Sequence, residues 1–176
     1  MTLYLRTVLE AQPAQIGMLM GSFMLPFALL TYPFGRLARR VPPLWLMMAG
    51  SAAYGVILVG LALSPLTLWW LLMPLGGVAA AAMFAPSLVL TSLAAGADQR
   101  GAAMGGFHAA GSLGFLLGPL VGGGILALAA TLERPGWIPA FLAVAALQWL
   151  CVAVFLPTAL RRRDDWPGQA EPGRST

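Results

Sequence analysis

Five long apolar blocks, separated by short polar or proline-bearing breaks, account for most of this chain. They fall at about 14–34, 44–63, 67–94, 102–130 and 137–156. A helix that crosses a bilayer needs about 20 mostly apolar residues, because each adds about 1.5 Å against a hydrocarbon core about 30 Å thick. Each block meets that length, so the pattern predicts five membrane-spanning helices. The breaks support the division. Pro42-Pro43 parts the first two blocks, and Ser64-Pro65 parts the second from the third. A polar stretch from Gly96 to Gly101 precedes the fourth, Glu133-Arg134-Pro135-Gly136 precedes the fifth, and Pro157 closes it. Pro26, Pro74, Pro86 and Pro119 lie inside blocks, where a membrane helix tolerates proline as a kink. The start is not a signal peptide, since Arg6 and Glu10 interrupt it before any apolar run is long enough.

Composition narrows the class. Apolar residues make up 59% of the 176 and charged residues only 9%, against about 25% charged in a soluble domain. The mean hydropathy is +0.81. These values exclude a soluble globular protein, a disordered chain and a coiled coil, and define an all-α polytopic membrane protein. The one cysteine, Cys151, cannot pair within the chain.

The net charge is +4, and all ten basic residues are arginine. Most of them are clustered between or after the apolar blocks, at Arg36, Arg39 and Arg40 and at Arg161, Arg162 and Arg163. Such clustering fixes orientation in a lipid bilayer; a nucleic-acid binder would carry a basic face with interleaved aromatics, so nucleic acid is not an expected partner. With the N-terminus outside, eight arginines fall on the cytoplasmic side and two, Arg6 and Arg134, outside. The positive-inside rule therefore places the N-terminus outside and the tail inside. Residues 161–176 read as a basic, disordered cytoplasmic tail. Arginine without lysine, beside abundant Ala, Gly and Pro, fits a GC-rich bacterial coding sequence and an inner-membrane location. Residues 1–12 read like the outer end of an earlier helix and a loop, so further apolar spans are expected ahead of Met1.

Two motifs carry a family resemblance. After the first block comes Gly35-Arg36-Leu37-Ala38-Arg39-Arg40. It resembles the cytoplasmic loop signature G-x-L-[AS]-D-R-x-G-R of the major facilitator superfamily through Gly35, Leu37, Ala38 and Arg40. The signature aspartate is Arg39 here and its second glycine is Pro42. In the fourth block, Gly105, Gly114, Gly118-Pro119 and Gly122-Gly123 reproduce the spacing G-x8-G-x3-G-P-x2-G-G. That pattern is similar to the glycine motif of the superfamily's drug:proton antiporters. At 100° per residue, Gly111, Gly114, Gly118 and Gly122 share one sector of a helix, where small residues admit a neighbouring backbone. Pro119 removes a backbone donor and bends that helix.

The resemblance implies a secondary transporter built of two pseudo-symmetric halves that rock about a central site. Five spans starting outside match either helices 2–6 or helices 8–12 of such a fold. The glycine motif argues for the first set. The missing loop aspartate, Leu72 four residues before Gly76 where many first halves carry arginine, and the short basic tail argue for the second, which is the reading adopted. The resemblance then places Phe84, Ser87 and Thr91 of the third block, with Phe27 of the first, beside a substrate cavity. It also implies a missing half as partner and a small-molecule substrate.

The remaining chemistry is sparse. No Asp or Glu lies within a block, so any proton-coupling carboxylate lies outside this chain. His108 is the one titratable candidate, near the cytoplasmic end of the fourth block. Gly111-Ser112-Leu113-Gly114 does not form a nucleophile turn, and a regular helix lacks an oxyanion hole, so no enzyme is expected. One His and one Cys without an intramembrane carboxylate give no metal site, and no cofactor is expected. Trp69, Trp70 and Trp137 read as anchors at the outer membrane interface, and Trp45 at the inner one. Two functions of different class remain. One is part of a transporter that exports small, partly apolar compounds; an inactive truncated fragment is a variant of it. The other is a small non-transporting membrane protein that assembles partners through its glycine face.

Overall fold

The computed structural model describes residues 12–131 and 137–161. Among them the chain is helical throughout, in five long helices and one short turn, with no strand. We label the helices α1 (Pro13–Leu37), α2 (Pro43–Leu63), α3 (Leu66–Ala94), α4 (Arg100–Thr131) and α5 (Trp137–Arg161). A 3-10 turn, Ala97–Gln99, leads into α4. Each of the five helices is long and apolar enough to cross a membrane. Arg6, Glu10, Arg134, Arg162, Arg163, Arg174 and the side chain of Trp137 lie outside the described residues.

Local chemistry sets the helix ends. At the start of α1 the Gln12 backbone N–H donates to Gln15 Oε1 at 2.9 Å. Pro13 follows in the first helical position, where a missing N–H costs nothing. After α1 the backbone closes in a tight turn, with Arg40 N–H donating to Leu37 O at 2.9 Å. Ser64 is extended, the conformation favoured before a proline, and this separates α2 from α3. Two helices run on past a proline near their ends, α5 past the one at which the sequence pattern closes it. α1 continues through Pro33 to Leu37, and α5 through Pro157 to Arg161. Each proline removes one ladder bond, but in an apolar setting every other backbone group is best satisfied by staying helical.

The bundle is organised around α3. Helices α1 and α2 both pack extensively against it, α5 packs against α2, and α4 makes only slight contact with α3 and α5. Small residues set the approach distances. A Cβ on Gly77 of α3 would run into the carbonyl oxygen of Phe23 in α1. A Cβ on Gly50 of α2 would sit 2.7 Å from the backbone N of Met83 and 2.9 Å from the carbonyl O of Ala79, both in α3. Ala79, Ala80, Ala81 and Ala82 are all buried, so neighbours cover this stretch of α3 around its whole circumference. On the other side of α2, Gly55 leaves room for the Trp149 indole of α5, whose Nε1–H donates to Ala52 O at 3.3 Å.

At the end of the bundle that holds the start of α1 and the α2–α3 junction, Ile16, Leu19, Leu61, Trp69 and Met73 form a closed apolar cluster. Trp69 is fully buried there, its ring 6.0 Å from Phe141 in an edge-on arrangement. The interfacial-anchor reading is therefore wrong for Trp69. Its position one turn into α3 matches an anchor, but the helix turns it toward α1 and α5. Its neighbour Trp70 is 41% exposed and keeps the outward position. Trp45 is half-buried, and its Nε1 is buried without a hydrogen-bond partner.

Candidate functional site

Four helices bring aromatic rings together in one strip. Phe23 and Phe27 are four residues apart, so they share a face of α1, and their rings stack with centroids 6.4 Å apart. Phe27 meets Phe84 of α3 at 5.6 Å, and Phe84 meets Phe107 of α4 at 5.9 Å. His108 stands edge-on to Phe107 at 5.8 Å. At the other end Tyr54 of α2 approaches Phe23 edge-on at 6.5 Å. All three pairings between α1, α3 and α4 or between α1 and α2 have edge or tilted geometries that aromatic quadrupoles favour.

Phe27 and Phe84, singled out from the sequence, thus stand together. Ser87 lies three residues on from Phe84, and its hydroxyl donates to the Phe84 carbonyl at 2.7 Å. Thr91 donates to the Ser87 carbonyl at 2.9 Å. Both hydroxyls are occupied as donors by their own helix but keep lone pairs that accept. His108 is exposed, and Ser112 donates to its backbone carbonyl at 3.0 Å. Tyr54, a polar residue within the second apolar block, joins this group, as do Phe23 and Phe107, neither of which was singled out beforehand. The spacing of Phe23 and Phe27 was a visible signal for one face of α1. Nothing in a single sequence sets the register of α4 against α3, which is what brings Phe107 into the row.

The glycine motif occupies a different environment. A Cβ added at Gly105, Gly114, Gly118, Gly122 or Gly123 would meet nothing within 4 Å. Around these positions α4 presents large apolar side chains, with Phe115 88% exposed and Leu120 66% exposed. Pro119 lies within the helix, which is continuous past it. Among the described residues, then, the close backbone approaches are made at Gly50 and Gly77 and not on α4. The run Gly76-Gly77-Val78-Ala79-Ala80-Ala81-Ala82 was the sequence signal for them.

The loop motif closes one end of the bundle. Ala38 is fully buried, and its N–H donates to Phe34 O at 2.9 Å. Gly35 lines a cavity of about 530 Å³ between the end of α1 and the last turns of α3, together with Arg36, Arg39, Ala85, Leu88 and Val89. Leu37 and Arg40 line a shallower hollow of about 290 Å³ on the neighbouring face. Asp98 is the only carboxylate among the described residues, and no metal-holding group of three His, Cys, Asp or Glu side chains forms among them.

A five-helix membrane bundle with a glycine-rich, proline-bearing helix, a basic loop after its first helix and an aromatic strip across four helices has the parts of a secondary transporter. The model of the Major Facilitator Superfamily matches residues 1–175. The chain belongs to that superfamily, a family of transporters, and is a multi-pass membrane protein. No curated protein and no solved structure matches it.

Proposed function

We propose that this chain supplies one part of an alternating-access transporter that exports small, partly apolar compounds, and that complementary helices encoded alongside it cover α4. The observation that carries this reading is the open face of α4. A Cβ added at its motif glycines would meet nothing within 4 Å, although small residues aligned on one face of a membrane helix are the means by which backbones approach. A glycine face that serves an interface inside the chain would show the clashes seen at Gly50 and Gly77. A second set of helices on α4 gives the motif its function and encloses the aromatic strip from the remaining side.

Within that assembly Phe27 and Phe84 border the substrate path, with Ser87 and Thr91 offering acceptors to a polar group of the substrate. The helices correspond best to the second half of the superfamily fold, with the N-terminus outside and the C-terminus cytoplasmic, in the cell inner membrane. No carboxylate lies in α1–α5, so a coupling acid belongs to the complementary helices.

The test is co-purification of a tagged chain with the complementary helices, in the natural sequence and as Gly118→Leu. The leucine should not lower the melting temperature of the isolated chain, because its side chain enters open space and leucine favours a helix over glycine, and it should abolish co-purification. Co-purification that survives the substitution, or a chain that is destabilised alone, overturns the assignment of α4 as the joining face. The non-transporting scaffold reading makes the same binding prediction but no transport, so transport assays separate the two.

A further inference from the structure

We infer that the cavity between the end of α1 and the last turns of α3 is a binding site for an anionic phospholipid of the leaflet at that end of the bundle. The α3 side of the cavity is apolar, formed by Ala85, Leu88 and Val89, and the α1 side carries Thr31, Tyr32 and Gly35 with the two cations Arg36 and Arg39. This lining is itself amphiphilic. A phosphate beside the arginines would be met by two planar, permanently charged donors, and an acyl chain would lie along the apolar side between two membrane helices.

Three observations select an anion as the occupant. Arg36, Arg39 and Arg40 fall within five residues and are all exposed. Asp98 is the only carboxylate among the described residues, and no ion pair there engages Arg36 or Arg39. Arg39 also stands where the superfamily loop signature has aspartate, so the charge at that position is two units more positive than the signature prescribes, while the signature's closing arginine is Pro43 here. An acid at that position would repel a phosphate; arginine attracts one. The volume, about 530 Å³, exceeds what a free phosphate needs and leaves room for part of a chain. The site also lies at the end of the apolar spans, the depth at which headgroups sit and at which juxtamembrane basic clusters hold anionic lipid.

This inference does not depend on transport. Its test is lipid retention by the purified full chain in nanodiscs of neutral phosphatidylcholine doped with phosphatidylglycerol, read by native mass spectrometry. The natural chain should retain phosphatidylglycerol over phosphatidylcholine. Arg36→Gln and Arg39→Gln should each lower the preference about fivefold, and together about thirtyfold, on the usual value of one basic residue near a charged leaflet. Arg39→Asp should lower it further than Arg39→Gln. The Arg36→Lys/Arg39→Lys pair keeps the charge and should keep most of the preference, which controls for folding. Arg100→Gln, outside the cavity, should leave it unchanged. Millimolar inorganic phosphate should not displace the lipid. Equal retention of the two lipids, equal loss from Arg100→Gln, or displacement by inorganic phosphate overturns the assignment.

Discussion

Replacing Gly77 with alanine tests the packing at the centre of the bundle. The added Cβ would collide with the Phe23 carbonyl oxygen and would lie 3.1 Å from its carbonyl carbon and 3.3 Å from the Phe27 backbone N. All three atoms belong to the backbone of α1, so no side-chain rotation relieves the contact. Carbon atoms at optimal separation stand about 3.5–4.0 Å apart; α1 must therefore retreat from α3, loosening the cluster of Leu19, Trp69 and Met73. Overpacking of this kind costs about 1–3 kcal/mol. Alanine also favours a helix over glycine by about 1 kcal/mol, which offsets part of that cost. Gly118→Ala brings the same propensity gain with no clash, because its Cβ meets nothing. The difference between the two variants isolates the clash. For a chain of this length about 1 kcal/mol moves the melting midpoint by roughly 2–4 °C, so Gly77→Ala should melt roughly 3–10 °C below Gly118→Ala. Tryptophan fluorescence during a detergent melt reads this directly. Equal midpoints, or a higher one for Gly77→Ala, would refute the packing argument.

Other outcomes follow from the same geometry. Trp69→Ala removes a fully buried ring and should cost about 3–5 kcal/mol, seen as loss of a monodisperse peak in detergent. Trp70→Ala, on an exposed neighbour, should leave that peak intact. A periplasm-active reporter fused after Thr176 should be silent and a cytoplasm-active one bright, given the eight-to-two distribution of arginine; the reverse would invert the topology. Phe84→Ala breaks the aromatic row at its junction between α1 and α4. In the assembled transporter it should lower the transport rate while Leu113→Ala, exposed on α4, does not; equal rates would place the substrate path elsewhere.

The number and order of the helices could be read from the chain, because the bilayer demands length and apolarity and the prolines and polar breaks mark the ends. The neighbours of each helix could not. In water a helix declares its buried side by an apolar stripe, but α3 is apolar all round, and Trp69 and Trp70 look alike until one is turned into the core and the other away from it. Phe27 and Phe84 were singled out because the resemblance sets their helices side by side, and their rings do lie 5.6 Å apart. Phe107 was not, since its place in the row depends on how α4 slides along α3. Conversely, the strongest motif, the glycines of α4, marks no contact among the described residues, and the closest approaches belong to Gly50 and Gly77, which follow no family signature.

Transport by proteoliposomes tests the central claim most directly. A planar, partly apolar fluorescent dye would be loaded into vesicles holding this chain alone, vesicles holding the chain with its complementary helices, and protein-free vesicles, and dye movement followed under an imposed proton gradient. The chain alone should behave like the protein-free vesicles, because its aromatic strip has no opposing wall and its helices hold no coupling carboxylate. The assembled pair should move dye faster than either. Transport by the chain alone at the rate of the pair, or no transport by the pair, would contradict the account.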